Sequence, residues 1–331
     1  MQELKIISRN SPLAMAQANF VKEKINVLYP EFKIKIIGIT TIGDKILDKA
    51  LDKIGGKGLF IKELQQQLLD AEADLAVHSF KDVPVIGFSE FVIPAVLQRG
   101  DATDCFISNK YNKLEEMPDG AVLGTSSARR IALIKQHYPN LKIKMLRGNV
   151  QTRLSKLDNN EYDGIILASA GLIRLNLDNR IKQKLAANFF IPAPGQGAIA
   201  IEVLSSRLDL MLLLANLDDN DTFLATGAER EVGRLIGSDC SVPIGVHAYI
   251  IGPNMYITAI VANNETGEFC ISSCSGIKVN YLSLAKNIVS QLISSGVEKI
   301  LNRPINNFNA MNTTSYLSDL GDINDIDIIL K

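Results

Sequence analysis

Eight of the twelve arginines in this sequence, Arg9, Arg99, Arg129, Arg130, Arg147, Arg153, Arg174 and Arg180, precede a Pro-rich stretch, Ile191-Pro192-Ala193-Pro194-Gly195-Gln196-Gly197. Several stand where a strand gives way to a helix. Arg9 follows an apolar run and precedes Ser11-Pro12; Arg129 and Arg130 fall in the first turn after Thr125-Ser126-Ser127; Arg147 follows the run 143–146. Carboxyl ends of strands and amino ends of helices line the ligand crevice of open α/β sheets. Arginine at a helix start opposes the helix dipole, so an anion is expected to offset it. Guanidinium pairs bidentately with carboxylate or phosphate, and the expected ligand therefore carries several such groups. Any one of these arginines alone could be solvated surface; the constellation carries the reading.

Val77-His78-Ser79-Phe80-Lys81-Asp82-Val83-Pro84 places ionisable groups directly after an apolar strand. Asp82 is there either a structural ion-pair partner or a carboxylate able to stabilise a cation or move protons. Gly55-Gly56-Lys57-Gly58-Leu59-Phe60 lacks the spacing and the hydroxyl residue of a phosphate loop and reads as the end of a charged lid over 43–57. Gly195-Gln196-Gly197-Ala198-Ile199-Ala200 matches a dinucleotide fingerprint only formally, because it precedes a strand-like run and no helix. Of the four cysteines, Cys105 sits in an apolar strand run, and Cys270 and Cys274 share a strand face. Cys240 lies in a polar loop, Gly237-Ser238-Asp239-Cys240-Ser241-Val242-Pro243, where a thiol facing a basic cleft is a candidate nucleophile or attachment point.

These groups need a scaffold, and 331 residues suffice for two or three domains. Hydrophobic residues make 47% and charged residues 21%, which excludes a disordered or low-complexity chain. A net charge of -1 argues against a general polyanion binder, so any basic site is local. Up to about residue 215, strand-like runs at 4–7, 34–39, 75–77, 121–124, 143–146 and 164–168 alternate with helical patterns, as in βαβ units. Ser11 and Pro12 predict a helix start with an apolar face of Leu13, Ala16, Phe20, Ile25 and Leu28, and Ser126 or Ser127 opens a helix over 128–137. Crossings between domains are expected at 98–101 and 191–197. After a polar break at 216–221, the runs 246–251, 255–261 and 269–275 read as an antiparallel meander covered by a helix over 281–293. The tail from about Arg303 is read as poorly ordered.

Taken together, Arg9-x-Ser11-Pro12-Leu13-Ala14, Thr41-x-Gly43-Asp44, Gly55-Gly56-Lys57-Gly58-Leu59-Phe60, the His78 to Pro84 run, Gly124-Thr125-Ser126-Ser127-x-Arg129-Arg130, Leu146-Arg147-Gly148-Asn149-Val150-x-Thr152-Arg153-Leu154, Ala170-Gly171-Leu172-x-Arg174-Leu175, Gly195-Gln196-Gly197 and Cys240-x-Val242-Pro243-Ile244-Gly245 resemble, in order, the porphobilinogen deaminase (hydroxymethylbilane synthase) family over roughly residues 1–250. The resemblance implies an α/β fold. Two hinged, periplasmic-binding-protein-like α/β domains (1–98 with 196–216, and 99–195) would enclose a cleft, with a small α+β cofactor-attachment domain at 217–302 and a tail at 303–331. It implies an enzyme that joins four porphobilinogen molecules head to tail, releases ammonia each time and hydrolyses off 1-hydroxymethylbilane, with a covalent dipyrromethane cofactor on Cys240. By that resemblance Asp82 assists loss of the amino group and stabilises cationic intermediates. Arg9, Ser11, Gln17, Lys53, Lys57, Ser79, Lys81, Thr125, Ser127, Arg129, Arg130, Arg147, Arg153, Arg174 and Gln196 bind carboxylates or line the cleft, and Phe60 packs beside the pyrroles. The chain departs from the family's usual pattern at Ser238-Asp239, where Gly-Gly is common, and at Asp101-Ala102-Thr103-Asp104, which lacks the usual Pro-Arg.

A periplasmic-type binding protein is the alternative in another class; it would need the arginines but neither Cys240 nor Asp82. The start of the sequence lacks the pattern of an export signal, which counts against it. Single-stranded nucleic acid binding is disfavoured because aromatics are 6% and tryptophan is absent. The expected protein is a cytoplasmic monomer that binds neither metal nor membrane.

Overall fold

The computed structural model describes residues 3–41, 61–237, 242–264 and 266–305. The first sheet begins with β1 (Glu3–Arg9), α1 (Pro12–Leu28), β2 (Lys33–Ile39), α2 (Lys62–Leu69) and β3 (Leu75–Ser79), and β1 runs parallel to both β2 and β3. At its far edge lies β4 (Phe91–Val96), a strand whose Pro94 hides it in the sequence. Proline donates nothing to a ladder and is tolerated there because an edge strand has a neighbour on one side only.

The chain then crosses to a second sheet built from β5 (Asp104–Ile107), β6 (Val122–Gly124), α3 (Ala128–His137), β7 (Lys142–Lys144), α4 (Val150–Asp158), β8 (Gly164–Ala168), α5 (Ser169–Arg174) and β9 (Gln183–Leu185). It crosses back as β10 (Ile199–Leu204), which inserts between β3 and β4. The orders β2-β1-β3-β10-β4 and β7-β6-β8-β5-β9 follow one plan, and in each the strand that follows a crossover runs antiparallel to both neighbours. This is a pair of α/β domains that share one strand order. The crossovers touch: Gly100 N–H donates to Gly197 O at 3.1 Å.

Three side-chain caps aim helix starts at the same region. Ser11 accepts from Ala14 N, Ser127 from Arg130 N and Asn149 from Thr152 N. In α1 the buried face is Gln17, Ala18, Val21 and Ile25, displaced from the expected stripe, and Phe20 and Leu28 are exposed. Small Ala18 and Val21 let the helix approach the sheet, Gln17 turns inward to a polar partner on β3, and the Lys24 ammonium covers the Phe20 ring. The strand expected over 143–146 stops at Lys144, whose carbonyl accepts from Thr125 N; Leu146 is buried beyond it and Arg147 lies in a loop.

Beyond β10 come α6 (Leu208–Ala215), α7 (Asn220–Ile236), the antiparallel sheet β11 (Ile244–Ile251), β12 (Asn254–Ala262) and β13 (Phe269–Ile277), then α8 (Tyr281–Ser294) and α9 (Val297–Leu301). Ala228 and Val232 of α7 and Ile288 and Leu292 of α8 cover Val246, Ile257 and Ala259 of this meander. Contrary to the expected start of the tail, Arg303 donates to the carbonyls of Ile236 and Gly237 and Ile305 is buried. The tail from 306 onward lies outside the described residues. Among the described residues no helix is long and apolar enough to cross a membrane.

Gly197 has φ +90°, and a Cβ there would stand 2.9 Å from Gly100 O and 3.1 Å from Asp101 O. Gly197→Ala is therefore expected to lower stability by more than about 1 kcal/mol, read by thermal unfolding.

Candidate active site

The turn after β3 is anchored by Phe80, which is fully buried and whose N–H donates to Ala198 O on the returning crossover. One turn of 3-10 helix, Phe80–Asp82, leaves the Lys81 and Asp82 side chains half-buried beside the second domain. Burial brings the Lys81 ammonium down to about 8; Asp82 opposes that shift, and Arg130 and Arg129 reinforce it. Burial likewise brings Arg153 down to about 10, helped by Arg130, Arg147 and Arg9 and opposed by Asp82. Residues from β1, the β3 turn, α3, the loop before α4 and α4 itself thus share one electrostatic environment. In it, among the described residues, six cations, Arg9, Lys81, Arg129, Arg130, Arg147 and Arg153, face two carboxylates, Asp82 and Asp104.

The sequence reading asks for a ligand anion at the start of α3; part of that demand is met inside the protein. Arg130 Nη2 and Nε lie 2.6 and 3.1 Å from Asp104 Oδ1, and its Nη1 donates to Ile166 O. Arg129 Nη1 is 2.7 Å from Asp104 Oδ2, an ion-pair contact angled too poorly to give that oxygen a hydrogen bond, and it also donates to Ile191 O. The two guanidiniums hold the Asp104 carboxyl far below the usual carboxylate range, against its complete burial. Gln196 completes the set: its Nε2 donates to Asp104 Oδ1 and Ala102 O, and its Oε1 accepts from Lys81 Nζ at 3.4 Å. Asp104 is the principal group that sequence reasoning missed. Its signal was two adjacent arginines in a helix start with no acidic residue in the first turn.

Other expected residues fall into place unevenly. Gln17 and Ser79 hydrogen-bond each other at 2.8 Å between α1 and β3, Ser11 and Ser127 are caps, and Thr125 Oγ1 accepts from Ser127 N. Arg153 Nε donates to Gly148 O, while Arg147 Nε is buried without an acceptor among the described residues. Arg174 is turned to the crossover, where it donates to Gly197 O at 2.5 Å. Arg180 pairs with Asp158 on the surface, away from the cluster. Arg99 belongs to the third domain's contacts: Glu229 of α7 binds its guanidinium at 2.7 and 3.1 Å and also accepts from Gly195 N and Ala248 N. Lys53, Lys57, Phe60, Cys240 and the lid expected over 43–57 lie outside the described residues, as do Ser238 and Asp239. Cys240 follows the end of α7 by four residues, and β11 resumes at Ile244. Burial pushes the Cys105 thiol up to about 12, in keeping with an inert core cysteine. The described residues hold no cluster of His, Cys, Asp and Glu suited to a metal ion.

Residues 4–211 match the family model described as porphobilinogen deaminase, dipyromethane cofactor binding domain. The chain belongs to the porphobilinogen deaminase family. A relative named porphobilinogen deaminase from Chromobacterium violaceum is 46% identical over 91% of this chain and 97% of its own length. Relatives of the same name from Neisseria meningitidis serogroup B and Methylobacillus flagellatus are 45% and 44% identical, covering 93% and 90% of this chain and 99% and 96% of their own. A family whose domain binds dipyrromethane is in keeping with a cluster in which, among the described residues, cations outnumber carboxylates.

Asp104→Asn would leave two buried guanidiniums without their counter-charge, and a loss of about 3–5 kcal/mol is expected in urea unfolding. Because the folded-state carboxyl titrates below its unfolded value, this stabilisation is complete above about pH 4 and is lost as pH falls toward the folded value.

Proposed function

We propose that this chain is a transferase that joins four porphobilinogen molecules head to tail, releasing ammonia at each step, and then hydrolyses the product to 1-hydroxymethylbilane. The observation that carries the reading is one half-buried carboxylate, Asp82, set among Lys81, Arg153 and further arginines. Each pyrrole of the substrate bears an acetate and a propionate, so the growing chain is a polycarboxylate and suits that donor set. The same chemistry fits a dipyrromethane cofactor: the buried Arg147 Nε, without a partner among the described residues, and the mutually repelling Arg130, Arg147 and Arg153 favour carboxylates at this place. Arg9, Arg147, Arg153 and Lys81 would hold it, with Cys240 as its covalent attachment. When bound, it would supply the fixed end from which the chain is built.

The residues' own work follows from their charges. As the carbon–nitrogen bond to the departing ammonia breaks, positive charge develops on the pyrrole nitrogen, and fixed Asp82 stabilises it more in the transition state than in the ground state. Charge stabilisation is the role that a fixed carboxylate at this place would have. Arg129, Arg130 and Gln196 orient their neighbours through Asp104 while Arg9, Arg147 and Arg153 meet ligand carboxylates; Ser11, Gln17, Ser79, Thr125, Ser127, Arg174, Lys53, Lys57 and Phe60 complete the cleft. In this reading the domains are 1–98 with 196–216, 99–195 and 217–302, and the enzyme works as a cytoplasmic monomer on a small molecule, without nucleic acid.

Ammonia release from porphobilinogen, with an intact mass exceeding that of the polypeptide by a dipyrromethane, is the expected result. Porphobilinogen binding without ammonia release, by a protein of bare polypeptide mass, would instead favour a binding protein. Asp82→Asn, which keeps the shape and removes the charge, is expected to retain the adduct and lose at least about a hundredfold in turnover. Lys81 is charged below about pH 8 and loses its proton above it, so KM for porphobilinogen is expected to rise above that pH and the rise to disappear in Lys81→Arg.

A further inference from the structure

The Asp82 turn is held from outside its own domain. Arg230, on α7 of the third domain, is buried, and its Nη1 donates to Val83 O at 2.9 Å while its Nη2 donates to Pro84 O at 2.6 Å. Its guanidinium also lies over the Phe80 ring, 4.4 Å from the centroid. One side chain therefore grips the backbone on the carboxyl side of Asp82 and the aromatic anchor on its amino side. The neighbouring glutamates have other arginines: Glu229 binds Arg99, and Glu231 binds Arg234 at 2.7 and 2.8 Å. Among the described residues, Arg230 donates to two carbonyls outside the hydrogen bond that closes the turn, which runs from Val83 N to Phe80 O.

We propose that Arg230 is a positioning residue for Asp82, fixing the carboxylate relative to the helix that leads to Cys240. The inference deepens the proposed function and rests on Asp82 being the charge-stabilising group. The helix runs from Arg230 to its αL terminus at Gly237, roughly 10 Å of axial rise. A rigid helix of this kind keeps the Asp82 turn in one body with the helix end at Gly237, three residues before Cys240 in the sequence. Positioning errors on the order of 1 Å can cost about a hundredfold in rate, so the grip acts on turnover more than on binding.

The test uses the cofactor-loaded full chain. Arg230→Gln is expected to lower kcat roughly tenfold to a hundredfold with KM for porphobilinogen within about twofold, and to speed amide hydrogen exchange over 80–88. Combined with Asp82→Asn, it is expected to cost less than about twofold further, because a residue that acts through Asp82 has nothing left to position. Arg230→Lys, which keeps the buried charge but not the fork, serves if the glutamine variant does not fold and is expected to show the same pattern more mildly. An unchanged kcat with wild-type exchange over 80–88, or a loss in kcat that persists undiminished in the Asp82→Asn background, overturns the proposal. Failure of the wild-type chain to release ammonia would sink the functional reading itself; normal wild-type turnover with a silent Arg230 sinks this inference alone.

Discussion

A site that is to receive several carboxylates has to keep several guanidiniums close together before any ligand arrives, and they repel each other. Asp104 eases that difficulty. Completely buried, it takes Arg130 on one oxygen and Arg129 on the other, and Gln196 adds an uncharged donor to the same carboxylate. Two of the six cations clustered among the described residues are thereby fixed in place, while Arg147 keeps a buried donor with no acceptor among those residues and Arg153 is lowered by burial, with its cationic neighbours helping. The arrangement separates the arginines that hold the frame from Arg147, whose Nε has no acceptor among the described residues. Because Gln196 lies on the returning crossover and Asp104 opens the first strand after the outgoing one, the frame sits where the two domains are joined.

The third domain contributes rigidity in the same economy of contacts. Glu229 gathers Arg99 from one crossover, Gly195 from the other and Ala248 from the meander onto a single carboxylate. The next residue along α7 reaches the Asp82 turn. The crossovers and the first domain are therefore tied to the third through adjacent side chains of one helix. The second domain meets the first at the crossovers and where α5 approaches Leu13 at the start of α1.

Much of this was legible in the sequence where the signal is local. Ser11 with Pro12 and Ser127 with its following helix announce themselves by capping chemistry, and the meander by its alternation and turns. The role of Asp104 was not legible, because it depends on β5 lying antiparallel between β8 and β9 and so bringing an aspartate under a helix far along the chain. The face of α1 was misjudged because two overlapping apolar stripes fit one helix, and the sheet selects the one with smaller side chains. Nor could α7 reveal Glu229 and Arg230 as ties: it is buried on nearly every side, so its charges carry no pattern of inside and outside. The insertion of β10 into the first sheet came from the family resemblance; its strand character alone does not name its neighbours.

That insertion governs the order in which the molecule can be made. β3 and β4 are never hydrogen-bonded to each other; β10 lies between them, and it is encoded after the whole second sheet. During synthesis the amino-terminal sheet therefore emerges with a gap between β3 and its edge strand β4, while the five strands of the second sheet are contiguous in sequence and can close first. Until β10 arrives, two strand edges stand unpaired, the kind of surface that invites association between chains. The arriving strand brings Glu202, which accepts from Gln65 and pairs with His78 at 3.0 Å in the interior. The last strand to join thus supplies the carboxylate that two buried polar groups have been waiting for, and strand insertion and hydrogen-bond satisfaction become a single folding event.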